Sequence, residues 1–153
     1  MLLVAAFNAL LLVTCGYAIW QGGKPEQWTA AALLTAAAAT LLVHLPRSAH
    51  FRSLETEVLL VDLALLALLV AVALKANRYW PLWLSAIHAG TVAVHLAKLA
   101  NPSLVWPVYA YAASASSIPM QLMLFWAAVR HRRRLARFGS DPPWTDFSRP
   151  LTE

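Results

Sequence analysis

The stretch Val58–Leu74, VLLVDLALLALLVAVAL, decides the fold, because its only charged side chain is Asp62. At 1.5 Å per residue, a helix of about 20 apolar residues crosses the hydrocarbon core of a bilayer. Within lipid, backbone N–H and C=O groups must be satisfied inside the segment, which a helix achieves and a lone strand does not. The stretch therefore predicts a transmembrane helix.

Four further apolar segments resemble this one, so the sequence predicts an all-α integral membrane bundle of five transmembrane helices. Their predicted bounds are 1–20, 28–45, 57–75, 80–100 and 104–129. A basic helical extension is expected to 138, followed by an extended cytoplasmic tail over 139–153. The chain is 60% hydrophobic and 12% charged, about half the charged fraction of an average soluble domain. A separate soluble domain is not expected.

Proline and glycine mark the predicted helix ends. Pro46 is expected to end the second helix, and Pro102 the fourth, because the residue before proline is pushed out of the helical region. Gly139 is a natural stop for the basic extension. Pro119 lies inside the fifth segment, where it predicts a kink that neighbouring serine hydroxyls help to satisfy.

Basic residues predict the orientation of the bundle. Five arginines follow the last apolar segment directly: Arg130, Arg132, Arg133, Arg134 and Arg137. Such a run is typical of the cytoplasmic end of a membrane helix, so we expect the N-terminus outside and the C-terminus inside. The run is also the expected contact with lipid headgroups or a partner. Because the basic residues are not spread over a face, nucleic-acid binding is not expected.

The chain carries few signals of catalysis or processing. A single cysteine, Cys15, allows no internal disulfide. Met1–Ala18 resembles the apolar region of a signal peptide, but no basic residue precedes it, so we expect the first helix to be retained. A phosphate-binding loop, nucleophile elbow and paired catalytic carboxylates are all absent from the sequence. An enzyme is therefore not the favoured interpretation.

The fourth predicted helix carries a polar stripe. At about 100° per residue one face collects polar side chains, which are Ser85, His88, Thr91, His95 and Lys98. Polar side chains in membrane helices face protein or water, because facing lipid costs a few kcal/mol. The stripe is therefore predicted to be buried.

Asp62 of the third helix is the expected partner of this stripe. In antiparallel neighbouring helices, Asp62 and His95 lie at similar depth, with Lys98 one turn further out. Asp62, His95 and Lys98 are thus predicted to form a structural polar cluster in which an acid and a cation neutralise each other.

A tetrapyrrole or metal site is the alternative. His88 and His95 are two turns, about 10 Å, apart on one face, so they cannot both ligate one iron. His44 can approach His95 in depth, which leaves His95, His44 and His88 as candidate ligands of a haem or a chlorophyll-type pigment. A dedicated metal site is not predicted, because the ligand spacing follows no local motif.

Small residues of the second helix favour lateral association. Ala30–Ala32 and Ala36–Thr40 form a surface suited to close helix contact. The sequence therefore favours a non-catalytic accessory or assembly subunit of a larger membrane complex, without a cofactor. The alternative is a redox or pigment-binding protein. A small transporter or proton channel is a third interpretation, disfavoured because five short helices are expected to enclose little volume.

The run Lys75-Ala76-Asn77-Arg78-Tyr79-Trp80-Pro81-Leu82-Trp83, with His95-Leu96 and the arginine cluster after it, resembles a group of small, uncharacterised bacterial multi-pass inner-membrane proteins. The resemblance covers the second half of the chain best. It implies a bacterial inner (plasma) membrane protein and carries no activity.

Overall fold

The computed structural model describes residues 2–43, 51–101, 103 and 105–144. This part of the chain is helical apart from its connections. Its helices, in chain order, are α1 (Leu2–Gln21), α2 (Lys24–Val43), α3 (Phe51–Lys75), α4 (Trp80–Ala100), α5 (Trp106–Ser114) and α6 (Ser117–Phe138). The all-α prediction is confirmed for these residues, and four of the five predicted segments correspond to one helix each.

Two helices begin earlier than the apolar pattern predicts. α2 begins at Lys24 rather than at residue 28, because Pro25 fits the first helical turn, where its missing N–H costs nothing. α3 begins at Phe51 rather than at 57. Hydropathy marks only the apolar part of a helix, and polar residues before it continue the same backbone hydrogen bonding. The predicted end of the second helix, at residue 45 before Pro46, lies outside the described residues.

The regular hydrogen bonding of the fifth segment is interrupted where the sequence predicts a proline kink. α5 ends at Ser114 and α6 begins at Ser117 with Pro119 in its first turn, and the two residues between them, Ala115 and Ser116, keep right-handed helical dihedral angles. The ring of a proline clashes with the carbonyl four residues earlier, here that of Ala115, which produces the break between α5 and α6. The Ser117 hydroxyl donates to the carbonyl of Ser114 across the break, as expected for the serines of this run.

The basic extension ends at Phe138 as predicted, but the chain beyond it does not leave the bundle at once. Gly139 has φ +69°, the left-handed conformation that ends many helices. The next residues return to the α3–α4 connection, where the Asn77 N–H donates to the Pro143 carbonyl over 3.2 Å. The first part of the predicted extended tail therefore contacts the bundle as far as Trp144, and residues 145–153 lie outside the described residues.

The helices close into a ring. Each of α1 to α5 packs against a neighbour in the chain, and α6 returns to pack against α1 and α4. Leu69, Leu84 and Leu124 lie at the centre together with Cys15, which is fully buried. The α1–α2 turn, the α3–α4 connection and the end of α6 meet at one end of the bundle.

The surface of the bundle is apolar and part of its interior is polar. Side chains such as Leu68, Trp83 and Leu96 are exposed, whereas His88 and Gln121 are buried. Four helical stretches in the described residues are long and apolar enough to cross a membrane, namely Lys24–Val43, Thr56–Lys75, Trp80–Ala100 and Tyr111–Phe138, and Ala5–Gln21 is apolar but shorter. This distribution is compatible with a membrane-embedded protein.

Candidate functional site

A cavity of about 540 Å³ lies between the helices, in the half of the bundle remote from the α1–α2 turn. Most of the wall is apolar and includes Phe7, Leu11, Leu33, Leu65 and Met120. We call this space the Asp62 cavity, because it contains the carboxylate described next.

Asp62 and His95 meet at the cavity wall. His95 Nε2 lies 2.9 Å from Asp62 Oδ2, and the Tyr109 hydroxyl lies 2.8 Å from His95 Nδ1. A carboxylate can only accept, which assigns the proton of a neutral His95 to Nε2 and makes the tyrosine the donor to Nδ1. The three side chains thus form one chain of hydrogen bonds from α3 through α4 to α5.

His88 lies on the other side of the same aspartate. Its Nε2 donates to the backbone carbonyl of Asp62 over 3.0 Å and is 3.9 Å from Asp62 Oδ1, beyond hydrogen-bond distance. Between the two histidines along α4, Thr91 Oγ1 lies 2.5 Å from Ser116 Oγ at the α5–α6 break. Four members of the polar stripe of α4, Ser85, His88, Thr91 and His95, are therefore buried as predicted. Both histidines contact Asp62 of α3, whereas Thr91 contacts the α5–α6 break.

The structure brings together only part of the predicted cluster. Asp62 joins His95, whereas Lys98 is half-buried, with its ammonium 5.9 Å from the Tyr109 ring centroid. His44 lies outside the described residues. Tyr109 was missed, because in the sequence it is one aromatic residue near a predicted membrane interface. Its only signal is that its hydroxyl needs a partner if the ring is buried.

Three of the ring nitrogens that could ligate a cofactor are already used in hydrogen bonds. Both ring nitrogens of His95 are already engaged, and the Nε2 of His88 is bound to a carbonyl. Ligation of iron through any of these atoms requires that its hydrogen bond break. Among the described residues, no three His, Cys, Asp or Glu side chains are grouped to hold a metal ion.

A second polar network, which we call the ionic cluster, consists of Glu26, Arg78, His131 and Asp141. Arg78 Nη1 lies 2.7 Å from Glu26 Oε1, and its Nη2 lies 2.8 Å from Asp141 Oδ2. The exposed fractions of these three side chains are only 6%, 0% and 8%. One guanidinium therefore joins the start of α2, the α3–α4 connection and the segment after α6.

His131 completes the ionic cluster from α6. Its Nδ1 is 2.7 Å from Asp141 Oδ2 and 3.2 Å from Arg78 Nη2. Nδ1 would have to accept from the guanidinium but donate to the carboxylate, and it cannot do both. The contact with the carboxylate is the shorter one, which identifies Nδ1 as a donor to Asp141. A Cβ placed on Gly23 would lie 2.9 Å from His131 Cε1. A larger residue at position 23 would therefore displace the His131 ring from its place in the ionic cluster.

The predicted arginine run contributes little to this network. Arg134 reaches within 3.8 Å of Asp141 Oδ1 but is 41% exposed. Arg133 lies over the Trp126 ring at 5.7 Å, and Arg130, Arg132 and Arg137 are exposed. The sequence therefore identified the exposed arginines and missed the buried one, because Arg78 stands alone in its loop and its two acids lie 52 and 63 residues away.

Searches of protein-family models, curated proteins and solved structures gave no match to this chain.

The Asp62–His95 contact predicts a specific energetic coupling. Asp62→Ala leaves the His95 N–H without its acceptor and should lower the free energy of unfolding by about 1–3 kcal/mol. Combined with His95→Met, the double variant should lose less than the sum of the single losses, as measured by thermal unfolding in detergent. When Asp62→Ala is combined with Lys98→Met instead, the loss should be closer to the sum of the single losses. An equal coupling energy of Asp62 with His95 and with Lys98 would contradict the observed pairing.

The ionic cluster predicts a large asymmetry between two arginines. Arg78→Met leaves two buried carboxylates without their cation and should cost about 3–5 kcal/mol. Arg134→Met removes an exposed, distant charge and should cost less than about 1 kcal/mol. Thermal unfolding of both variants in the same detergent compares them directly. Similar losses would mean that the cluster does not support the fold.

Proposed function

We propose that this chain is a non-catalytic integral protein of a bacterial inner membrane that serves as an accessory or assembly subunit of a larger membrane complex. The short connections of the described residues offer no extramembrane surface large enough for a substrate site. The resemblance of the Lys75–Trp83 run to bacterial multi-pass proteins supports the membrane assigned here. A protein of this kind works through the surfaces that it presents within the bilayer.

An open groove between α2 and α3 is the observation that carries the proposal. The groove has a volume of about 740 Å³ and is lined on one side by Ala31, Ala32 and Thr35, and on the other by Leu68, Ala71 and Val72. Small side chains let two helix backbones approach closely, which drives helix association in lipid. We infer that a transmembrane helix of a partner subunit lies here.

The end of the groove has polar and aromatic character. Trp28, Trp144 and Lys75 line this end, and both Trp28 and Lys75 are exposed. Aromatic and basic side chains are typical of the level at which a membrane helix meets the headgroups. A partner helix in the groove is therefore expected to carry an acidic or headgroup-level polar residue near Lys75.

The groove contains only part of the small-residue surface expected from sequence. Ala32 is only 9% exposed and lies in the core, and Ala36 lines the Asp62 cavity. The exposed small residues of α2 in the groove are Ala31 and Thr35. A larger side chain at Ala36 would thus alter the interior rather than the outer surface.

We further propose an N-out, C-in orientation, because the exposed arginines of α6 are concentrated at one end. A reporter that is active only in the cytoplasm should work when it is fused after Lys75 or Arg137. The same reporter should be inactive after Ser48 or Asn101. Activity after Ser48 would contradict the proposed orientation and suggest that the first helix is absent or inverted.

The groove predicts which variants dissociate from the complex. Ala31→Leu and Ala71→Leu fill the groove and should release the 16.8 kDa chain from a larger particle purified in mild detergent. Ala93→Leu, a matched change on the exposed face of α4, should leave the particle intact. Native mass measurement reads out size and subunit composition. A monomeric wild type, a particle containing only this chain, or groove variants that stay assembled would contradict the proposal.

An absorption spectrum of the same preparation tests the cofactor alternative. A visible band that is lost in His88→Ala or His95→Ala would favour a tetrapyrrole protein over an accessory subunit. Under the subunit proposal, both histidine variants should remain assembled and show the spectrum of the wild type.

A further inference from the structure

The Asp62 cavity contains hydrogen-bond acceptors whose capacity the fold does not use. Gln121 is 2% exposed and lines the cavity, and its Oε1 has no hydrogen-bond partner among the described residues. An unsatisfied buried amide oxygen destabilises the fold, and a ligand that donates to it removes this cost. On the opposite wall, Asp62 Oδ1 is 3.9 Å from its nearest ion-pair nitrogen, His88 Nε2. Both atoms accept hydrogen bonds and neither donates.

Several donors of the cavity wall are, by contrast, engaged. His95 donates to Asp62 Oδ2, His88 to the Asp62 carbonyl, and the Ser117 hydroxyl to the Ser114 carbonyl. Thr91 and Ser116 share a hydrogen bond with each other. A ligand that brings its own N–H or O–H groups therefore finds acceptors at Asp62 and Gln121.

The charge of the residues that line the cavity also favours a ligand that donates hydrogen bonds. The described residues that line the cavity include one carboxylate, Asp62, and no lysine or arginine. In a site of low dielectric constant, an organic cation gains from this carboxylate, and an anion is repelled by it. The apolar remainder of the wall suits a hydrocarbon or aromatic body.

We propose that the Asp62 cavity is a binding site for a small amphiphilic amine, whose ammonium group donates to Asp62 and whose apolar body packs against the leucines and Phe7. Gln121 Oε1 accepts a further N–H or O–H group of the ligand. This site is independent of the subunit role, because the groove is lined by Ala31 and Thr35 and the cavity by Leu33 and Ala37, on opposite faces of α2.

Three matched probes test the proposal on the full chain in lipid nanodiscs. These are 2-phenylethylamine, 2-phenylethanol and 3-phenylpropanoate, which have similar bodies and carry positive, zero and negative charge at pH 7. Titration calorimetry, with empty nanodiscs subtracted, should show saturable binding of the amine, weaker binding of the alcohol and none of the carboxylate. Absence of saturable amine binding, or equal binding of amine and carboxylate, would overturn the proposal.

Variants locate the binding within the cavity. Asp62→Asn should weaken amine binding about tenfold or more, as expected for loss of a charged hydrogen bond, and should change alcohol binding much less. Glu57→Gln removes an exposed carboxylate from the same helix and should change neither. Unchanged amine affinity in folded Asp62→Asn would rule the site out.

Two further variants keep the test decisive if Asp62→Asn fails to fold. Ala36→Leu fills the cavity without changing its charge and should abolish binding of both amine and alcohol. Gln121→Met removes the unsatisfied oxygen and should weaken binding while raising the thermal stability of the empty protein. Full amine binding by Ala36→Leu would show that the amine binds elsewhere and would overturn the proposal.

Discussion

Arg78 bridges Glu26 and Asp141, and much of the bundle depends on this one buried guanidinium. A charge without water is costly unless oppositely charged groups and hydrogen bonds surround it. Glu26, Arg78 and Asp141 come from distant parts of the chain. The charge of Arg78 is therefore compensated only when the α1–α2 turn with the start of α2, the α3–α4 connection and the end of α6 meet. The absence of a side chain at Gly23 allows His131 to complete the arrangement.

At the other end of the bundle, a second acidic group also needs polar partners, but its partners satisfy it only in part. Asp62 Oδ2 accepts a hydrogen bond from His95, and His95 in turn accepts one from Tyr109. Asp62 Oδ1, by contrast, is 3.9 Å from His88 Nε2, which is beyond hydrogen-bond distance. The break between α5 and α6 faces this region and adds hydroxyl groups in place of a continuous helix surface. One network therefore links three parts of the bundle, whereas the other borders the cavity in which we propose that a ligand binds.

The sequence was a good guide to individual helices and to one contact of the candidate site. Depth along antiparallel helices was enough to predict that Asp62 and His95 are neighbours, because the rise per residue is the same in both helices. Depth could not choose between His95 and Lys98, nor identify Tyr109, because those choices depend on rotation of each helix about its axis. The interruption of the fifth segment was predicted as a proline kink, but its division into α5 and α6 was not, since a proline can either kink a helix or end it.

By itself the sequence determined the helical class, the apolar surface and the buried polar stripe of α4, because these follow from the local cost of exposing peptide groups and polar side chains to lipid. Only the tertiary structure decided that Glu26, Arg78 and Asp141 form one cluster, that a cavity exists beside Asp62, and that Ala31 and Thr35 are the exposed small residues of α2 in the groove. These features require several helices to be placed and rotated relative to one another. Such placement results from contacts between residues dozens of positions apart, which local patterns do not encode.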